Sequence, residues 1–91
     1  MAIKPLAEAV DLATPSDVDT ASIVSVINTN NTAVRLLIAE ASAVTVWIAA
    51  GERLSIEKTP AVVISADDGA TPTPTAVTAA TVFASKIAYG N

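Results

Sequence analysis

The sequence predicts an all-β fold: a small antiparallel β-sandwich or partly closed barrel of about six strands, preceded by an N-terminal arm. Short runs rich in Val, Ile and Thr alternate with polar residues, as half-buried strands do. Clusters of Asn, Asp, Gly and Pro separate these runs, and no stretch has a convincing helical period. At 91 residues the chain is long enough for one core, so we assign residues 1–20 to the arm and residues 21–91 to the sandwich domain.

The first twenty residues differ from the rest in composition. The stretch KPLAEAVDLATPSDVDT contains two prolines and four acids, and Pro5 and Pro15 limit any helix in it to about two turns, which is marginal in isolation. We interpret the segment as an arm that extends from the sandwich and docks on a neighbouring subunit, with Leu6, Val10 and Leu12 as its apolar contacts. A disordered terminus is the alternative.

Four strands are predicted to form two hairpins. Residues 22–28 (SIVSVIN) and 33–40 (AVRLLIAE) flank the turn formers NTNNT, which predicts the first hairpin. Residues 43–49 (AVTVWIA) and 53–58 (RLSIEK) flank the turn AAGE and form the second. Pro60 ends this hairpin, because proline has no N–H group to donate to a strand ladder.

Two further strands complete the prediction. Residues 61–66 (AVVISA) are a nearly continuous apolar run, which is typical of a strand buried between layers. The loop DDGATPTPT follows, and its prolines favour an extended conformation. Residues 81–89 (TVFASKIAY) form the last strand, with Phe83, Ile87 and Tyr89 on one face and Lys86 on the other.

Alternation assigns the side chains of these strands to two faces. Trp47 falls on the outer face, where it is either an exposed interface anchor or part of a second core layer. Arg53 and Glu57 also point outward and contact either solvent or another subunit. The residues assigned to the inner face are Val34, Leu36, Ile38, Val44, Val46, Ile48, Leu54 and Ile56.

The residue types that usually carry catalysis are mostly missing. The chain has no His and no Cys, so the usual base–nucleophile pairs cannot be assembled, and we predict that it is not an enzyme. The carboxylate pairs Asp17/Asp19 and Asp67/Asp68 lack the spacing of a calcium-binding loop and suit turns and caps. We therefore predict no metal and no cofactor.

Charge and hydropathy bear on the partners. A net charge of −4 and five scattered cations argue against nucleic acid, which is bound by basic surfaces. No apolar run approaches the roughly 20 residues that span a bilayer, and the first residues lack the apolar core of a signal peptide. We expect no membrane partner and a soluble chain in the cytoplasm at synthesis. A core built from small residues buries little area per residue, which favours a homo-oligomer.

The order of turns and strands resembles that of small virion structural proteins of tailed bacteriophages, particularly marine and cyanobacterial phages. The resemblance rests on VSVINTNNTAVRLLIAEA, VTVWIAAGERLSIEKTP and the closing ASKIAYGN, and it covers residues 23–91. The segment TPTPTAVTAAT is longer than the corresponding connection in those proteins. The residues at matching positions are Asn28, Gly51, Glu52, Lys58, Pro60 and Tyr89.

This resemblance implies a β-sandwich without catalytic residues that coats or stabilises a phage particle. In this interpretation the chain is a head decoration or cement protein, made in the host cytoplasm and located in the virion. Its partners are then the major capsid protein or other virion subunits. One alternative is a structural subunit of the neck or tail. A second is a small receptor- or carbohydrate-binding module, for which Trp47 and Tyr89 are the available stacking platforms.

Overall fold

The computed structural model describes residues 2–5, 8–70 and 73–90, with side chains for residues 8–70 and 73–88. These ranges contain seven strands of four to nine residues and one strand of two residues. The strands are β1 (Ala2–Pro5), β2 (Val10–Asp11), β3 (Ile23–Asn28), β4 (Val34–Ile38), β5 (Val44–Ile48), β6 (Arg53–Glu57), β7 (Ile64–Asp67) and β8 (Val82–Gly90). Within the same ranges there is no helix with the length and apolar character that a bilayer crossing requires.

The strands form two antiparallel sheets. β1, β8, β3 and β6 lie side by side in one sheet, in which the short β2 also pairs with β8, and β5, β4 and β7 form the other. Neither sheet closes on itself in the described part of the chain, and both contribute to one core, as in a small β-sandwich. The predicted all-β class is confirmed, and the six predicted strands correspond to β3 to β8.

The pairing of consecutive strands differs from the two predicted hairpins. β3 and β4 lie in different sheets, and so do β5 and β6. β3 pairs with β6, with Ser25 opposite Ser55, and β4 pairs with β5, with Leu36 opposite Val46. The chain therefore crosses between the sheets at residues 29–33 and 49–52. The physical reason is that β3 and β4 each have one apolar face. When the two strands lie in opposite sheets, these faces pack against each other and both are buried.

Most of the residues predicted to face inward do so. Val34, Leu36, Ile38 and Ile48 are buried, and Val46, Leu54 and Ile56 are partly buried against the same core. Val44 is a correction, because 45% of its surface is exposed. It begins β5, an outermost strand, where the sheet has no further strand beside it.

In β8, the core-facing residues are Val82 and Ala84, both fully buried. Phe83, which alternates with them, is half-buried on the other face of the sheet.

The N-terminal segment is part of the sandwich and not a projecting arm. β1 pairs with the end of β8, with Ile3 opposite Tyr89, and β2 pairs with its beginning, with Val10 opposite Ala84. Leu12 is 0% exposed, so it is not available as a contact to a neighbouring subunit. Local pattern did not indicate this, because the segment is covered by strands that are distant in sequence. The predicted contact Leu6 lies outside the described residues.

Residues 10–16 close one side of the sandwich. The N–H of Leu12 donates to the carbonyl of Val82 at 2.9 Å, and its own carbonyl accepts from the N–H of Ala66 at 3.1 Å, so this residue bridges the two sheets. Ser16 exchanges backbone hydrogen bonds with Ile64 at 3.0 and 2.8 Å. On the opposite side, β5 and β6 are the outermost strands, and each pairs with one neighbour among the described strands.

Candidate functional site

Trp47 is the largest exposed apolar side chain of the described residues, with 55% of its surface exposed. It lies on β5 between Val46 and Ile48, which face the core, so alternation directs the indole outward. The sequence left Trp47 either exposed or in a second core layer, and in the structure it is exposed. Trp47 is not part of a second core layer within its own chain.

The indole is held against the backbone at Gly69. A Cβ atom placed on Gly69 would lie 2.5 Å from Cη2 and 2.6 Å from Cζ2 of Trp47, so a residue with a side chain leaves no room for the ring. Gly69 has a φ of +67°, which glycine adopts without strain, and its N–H donates to Asp67 Oδ1 at 2.8 Å. Because Gly69 follows β7 and Trp47 lies on β5, the indole reaches across the intervening strand β4.

Arg35 and Asp67 lie in the same cross-strand row as Trp47. Arg35 is opposite Trp47 on one side and opposite Asp67 on the other. Its guanidinium donates from Nε to Oδ1 at 2.9 Å and from Nη2 to Oδ2 at 3.0 Å, a bidentate pair. The hydrogen bond to Asp67 raises the pKa of Arg35, so the guanidinium stays charged. We call Arg35, Trp47, Asp67 and Gly69 together the Trp47 surface.

The loop after β7 is fixed by a second carboxylate. Asp68 Oδ1 accepts from the N–H groups of Thr75 and Ala70 at 3.0 and 2.9 Å. These two backbone hydrogen bonds hold the pKa of Asp68 below its usual range, so this carboxylate is charged at neutral pH. The backbone that supports the indole is therefore held on both sides of Gly69.

The Trp47 surface presents an exposed indole beside a bidentate ion pair. Both carboxylate oxygens of Asp67 are engaged by Arg35, and the chain has no His or Cys to act as a base. In the described ranges, no three His, Cys, Asp or Glu side chains are grouped so that they could hold a metal ion. An indole that is already fixed loses little conformational entropy on binding, and such residues are frequent anchors of protein interfaces.

The residues predicted for an interface do not form one surface. Trp47 lies on the outer face of the three-stranded sheet, whereas Arg53 and Glu57 are exposed on β6, in the other sheet of the sandwich. Val10 packs against the core, and Leu12 is inside it. The described residues of the predicted set therefore belong to three different places: the Trp47 surface, the charged outer face of β6, and the core.

Three residues of the Trp47 surface were not predicted as site residues. Alternation places Arg35 on the outer face of its strand, Asp67 was assigned to a turn or cap, and Gly69 lies in the predicted loop DDGATPTPT. An opposite-charge pair at outward positions of two strands is a recognisable signal only when the register between these strands is known. That register, with Arg35 opposite Asp67, joins segments 32 residues apart.

No protein-family model, curated protein or solved structure matches this chain. The Trp47 surface and the order of turns and strands in the sequence are therefore the features of this chain that bear on its function.

Proposed function

We propose that the chain is a non-enzymatic structural protein of a tailed-phage virion, bound to the capsid as a decoration or cement protein through the Trp47 surface. The observation that carries the proposal is the exposed indole, packed on Gly69 and opposite Arg35 on the outside of the sandwich. A fixed aromatic ring with a compensated ion pair beside it suits a protein–protein contact. The virion context is supported by the resemblance in turn and strand order.

In this proposal, stabilisation comes from repetition. A protein that bridges neighbouring subunits of the major capsid protein adds a modest contact at each position, and the symmetry of the shell multiplies it. Trp47 enters an apolar pocket of the capsid subunit and is desolvated there. The side chains of Arg35 and Asp67, which are 22% and 12% exposed, belong to the polar rim of the contact.

Two alternatives use the same surface. As a neck or tail subunit, the chain contacts a ring of few partners instead of a shell. As a carbohydrate- or receptor-binding module, it stacks the exposed indole on a sugar ring. The number of copies in the particle distinguishes a capsid protein from a neck or tail subunit. The kind of ligand that Trp47→Ala no longer binds distinguishes a virion protein from a carbohydrate- or receptor-binding module.

Quantitative mass spectrometry of purified particles, from the phage that encodes the chain, tests the virion assignment. A copy number that matches the capsid lattice supports decoration, and one that matches a neck or tail ring supports the first alternative. Absence of the chain from the purified particles contradicts both.

Trp47→Ala tests the docking surface. We expect this variant to fold and to bind undecorated particles at least about tenfold more weakly, because a central aromatic anchor is lost. Binding is measured by co-sedimentation of the purified protein with particles. Val63→Ala is the matched control, since Val63 is an exposed apolar residue (40%) outside the Trp47 surface, and it should bind as the wild type does.

Wild-type affinity of Trp47→Ala for particles would show that another surface docks. If the wild type binds oligosaccharides, and not particles, and Trp47→Ala abolishes that binding, then the carbohydrate-binding alternative is correct.

A further inference from the structure

Among the described residues, the side of the sandwich at β5 and β6 has open strand edges, whereas the β7 edge on the opposite side is covered. The β7 edge is covered by backbone hydrogen bonds from Ser16 and Val77, whereas β6 has a neighbour, β3, on one side alone among the described strands. The inward-facing Leu54 and Ile56 of β6 are half-buried, since no strand lies beyond them. A depression of about 180 Å³, lined by Ile23, Ser55, Ile56 and Glu57, opens at this edge.

The backbone of β6 presents a regular set of free hydrogen-bonding groups along this edge. The N–H of Lys58 donates to Ser22 at 2.8 Å, and the N–H of Asn28 donates to Glu52 at 3.0 Å. Antiparallel pairing alternates, so with Ser25 opposite Ser55 the backbone groups of the even-numbered residues of β6 point to β3. The N–H and C=O groups of Arg53, Ser55 and Glu57 therefore point away from the sheet.

We propose that two copies of the chain associate through β6, which pairs antiparallel with β6 of a second copy about a twofold axis at Ser55. The sequence Arg53-Leu54-Ser55-Ile56-Glu57 is self-complementary in this register. Arg53 lies opposite Glu57 of the second copy, twice per dimer, and Leu54 lies opposite Ile56. All six outward-pointing backbone groups of each strand are then paired.

Charge favours this occupant, since both charged side chains of β6 are exposed on the outer face. Nη1 of Arg53 donates to Ser25 Oγ on β3 at 3.0 Å, so in the dimer the guanidinium turns from β3 toward Glu57 of the second copy. Opposite charges across an antiparallel pair are stabilising, whereas like charges there are destabilising. β5, the outermost strand of the other sheet on this side of the sandwich, carries no charged residue, so the same kind of self-pairing there gains no ion pair.

Pairing through β6 does not involve the Trp47 surface, so the isolated full chain is used to test it. Sedimentation equilibrium from micromolar to millimolar concentration should show a species of twice the 9.2 kDa chain mass. Arg53→Glu and Glu57→Arg each place like charges opposite one another at two positions, so each should raise the dissociation constant at least about tenfold. The double variant Arg53→Glu/Glu57→Arg restores both pairs and should dimerise within about threefold of the wild type.

Glu8→Arg is the matched control for Glu57→Arg, since it makes the same change in charge at an exposed residue outside β6 and should leave the dimer unchanged. Ser55→Pro removes one outward N–H group, leaves the pairing with β3 intact and should also weaken the dimer. Circular dichroism confirms that each variant is folded. A wild type that is monomeric throughout, or a dimer that neither single charge reversal weakens, overturns the proposal.

Discussion

At the scale of single residues, the turn between the two layers depends on one buried amide. Asn28 is 0% exposed, and its Nδ2 donates to the carbonyls of Ile48, Ala49 and Thr32 at 3.2, 3.2 and 2.9 Å. Its Oδ1 accepts from the N–H of Asn30 at 2.9 Å. This residue therefore joins the crossover after β3 to the end of β5. Its buried side chain supplies hydrogen-bond partners to backbone groups of two irregular segments and of the end of β5.

The residues of GERLSIEKTP on which the expected resemblance rests also have structural roles. Gly51 has a φ of +73° in the crossover between β5 and β6, and Glu52 Oε1 accepts from the N–H of Ala49 at 2.9 Å. Nζ of Lys58 donates to the carbonyl of Pro60 at 3.0 Å. These contacts account for the turn pattern through the fold. The proposed docking function depends instead on Trp47 and its supports.

Gly69→Ala tests whether the indole is held in place. The added methyl group overlaps the ring of Trp47 and lies at a φ of +67°, so we expect a loss of about 1–3 kcal/mol in the free energy of unfolding. Trp47 is the single tryptophan of the chain, so its fluorescence emission reports the displacement directly. In a Trp47→Ala background the same substitution should cost less, since the overlap is absent. Unchanged emission in Gly69→Ala would show that the indole does not pack on Gly69.

At the scale of elements, the N-terminal segment is a closing element of the sandwich. Residues 18–20 take left-handed backbone conformations, with φ of 54° at Val18, 56° at Asp19 and 52° at Thr20. Each such residue costs about 1–2 kcal/mol when it is not glycine. Val18 is 1% exposed, so its burial in the core offsets part of this cost. The turn returns the chain from the closed side to the start of β3.

Deletion of residues 2–17 should therefore destabilise the fold strongly. The deletion removes Leu12 from the core together with β1 and β2, so we expect a loss of at least about 3 kcal/mol in the free energy of unfolding, measured by thermal denaturation. The single substitution Leu12→Ala should cost about 2–5 kcal/mol, which separates the core contact from the strand pairing. A truncated chain with the wild-type melting temperature would show that the segment is dispensable, as a projecting arm is.

At the scale of the whole molecule, the two proposed surfaces are compatible. The Trp47 surface lies on the three-stranded sheet, and β6 belongs to the five-stranded sheet. A dimer formed through β6 thus leaves two Trp47 surfaces free. Two linked docking sites bind a repetitive lattice more tightly than one, because the second contact forms at high effective concentration.

The pH dependence of stability should show the burial of Lys58. Lys58 is 5% exposed, and desolvation lowers its pKa from the ordinary value of 10.5, although Asp17 and Glu40 act in the opposite sense. Between the lowered pKa of the folded state and 10.5, the unfolded chain binds more protons, so the stability contributed by this group rises with pH.

Urea unfolding of the wild type and of Lys58→Met at a series of alkaline pH values measures this contribution to the free energy of unfolding. The difference in the free energy of unfolding, Met variant minus wild type, should fall as the pH rises toward 10.5, because the wild type alone loses the cost of a buried ammonium group. Two parallel curves would contradict the inferred desolvation.

The sequence by itself determined the all-β class, the strands β3 to β8 and the outward position of Trp47. Alternation with a period of two residues sets which side chains share a face, and turn formers mark where a strand ends. Both signals are contained within a few consecutive residues. These features can therefore be predicted without knowing which strands pair.

Only the tertiary structure decided which strands are neighbours. It placed β3 beside β6 and β4 beside β5, put Leu12 in the core, and brought Gly69 and Asp67 to Trp47 and Arg35. The alternation within a strand is the same whichever partner it pairs with. The choice of partner depends on which distant segments together cover all the apolar faces, and this is a property of the complete chain.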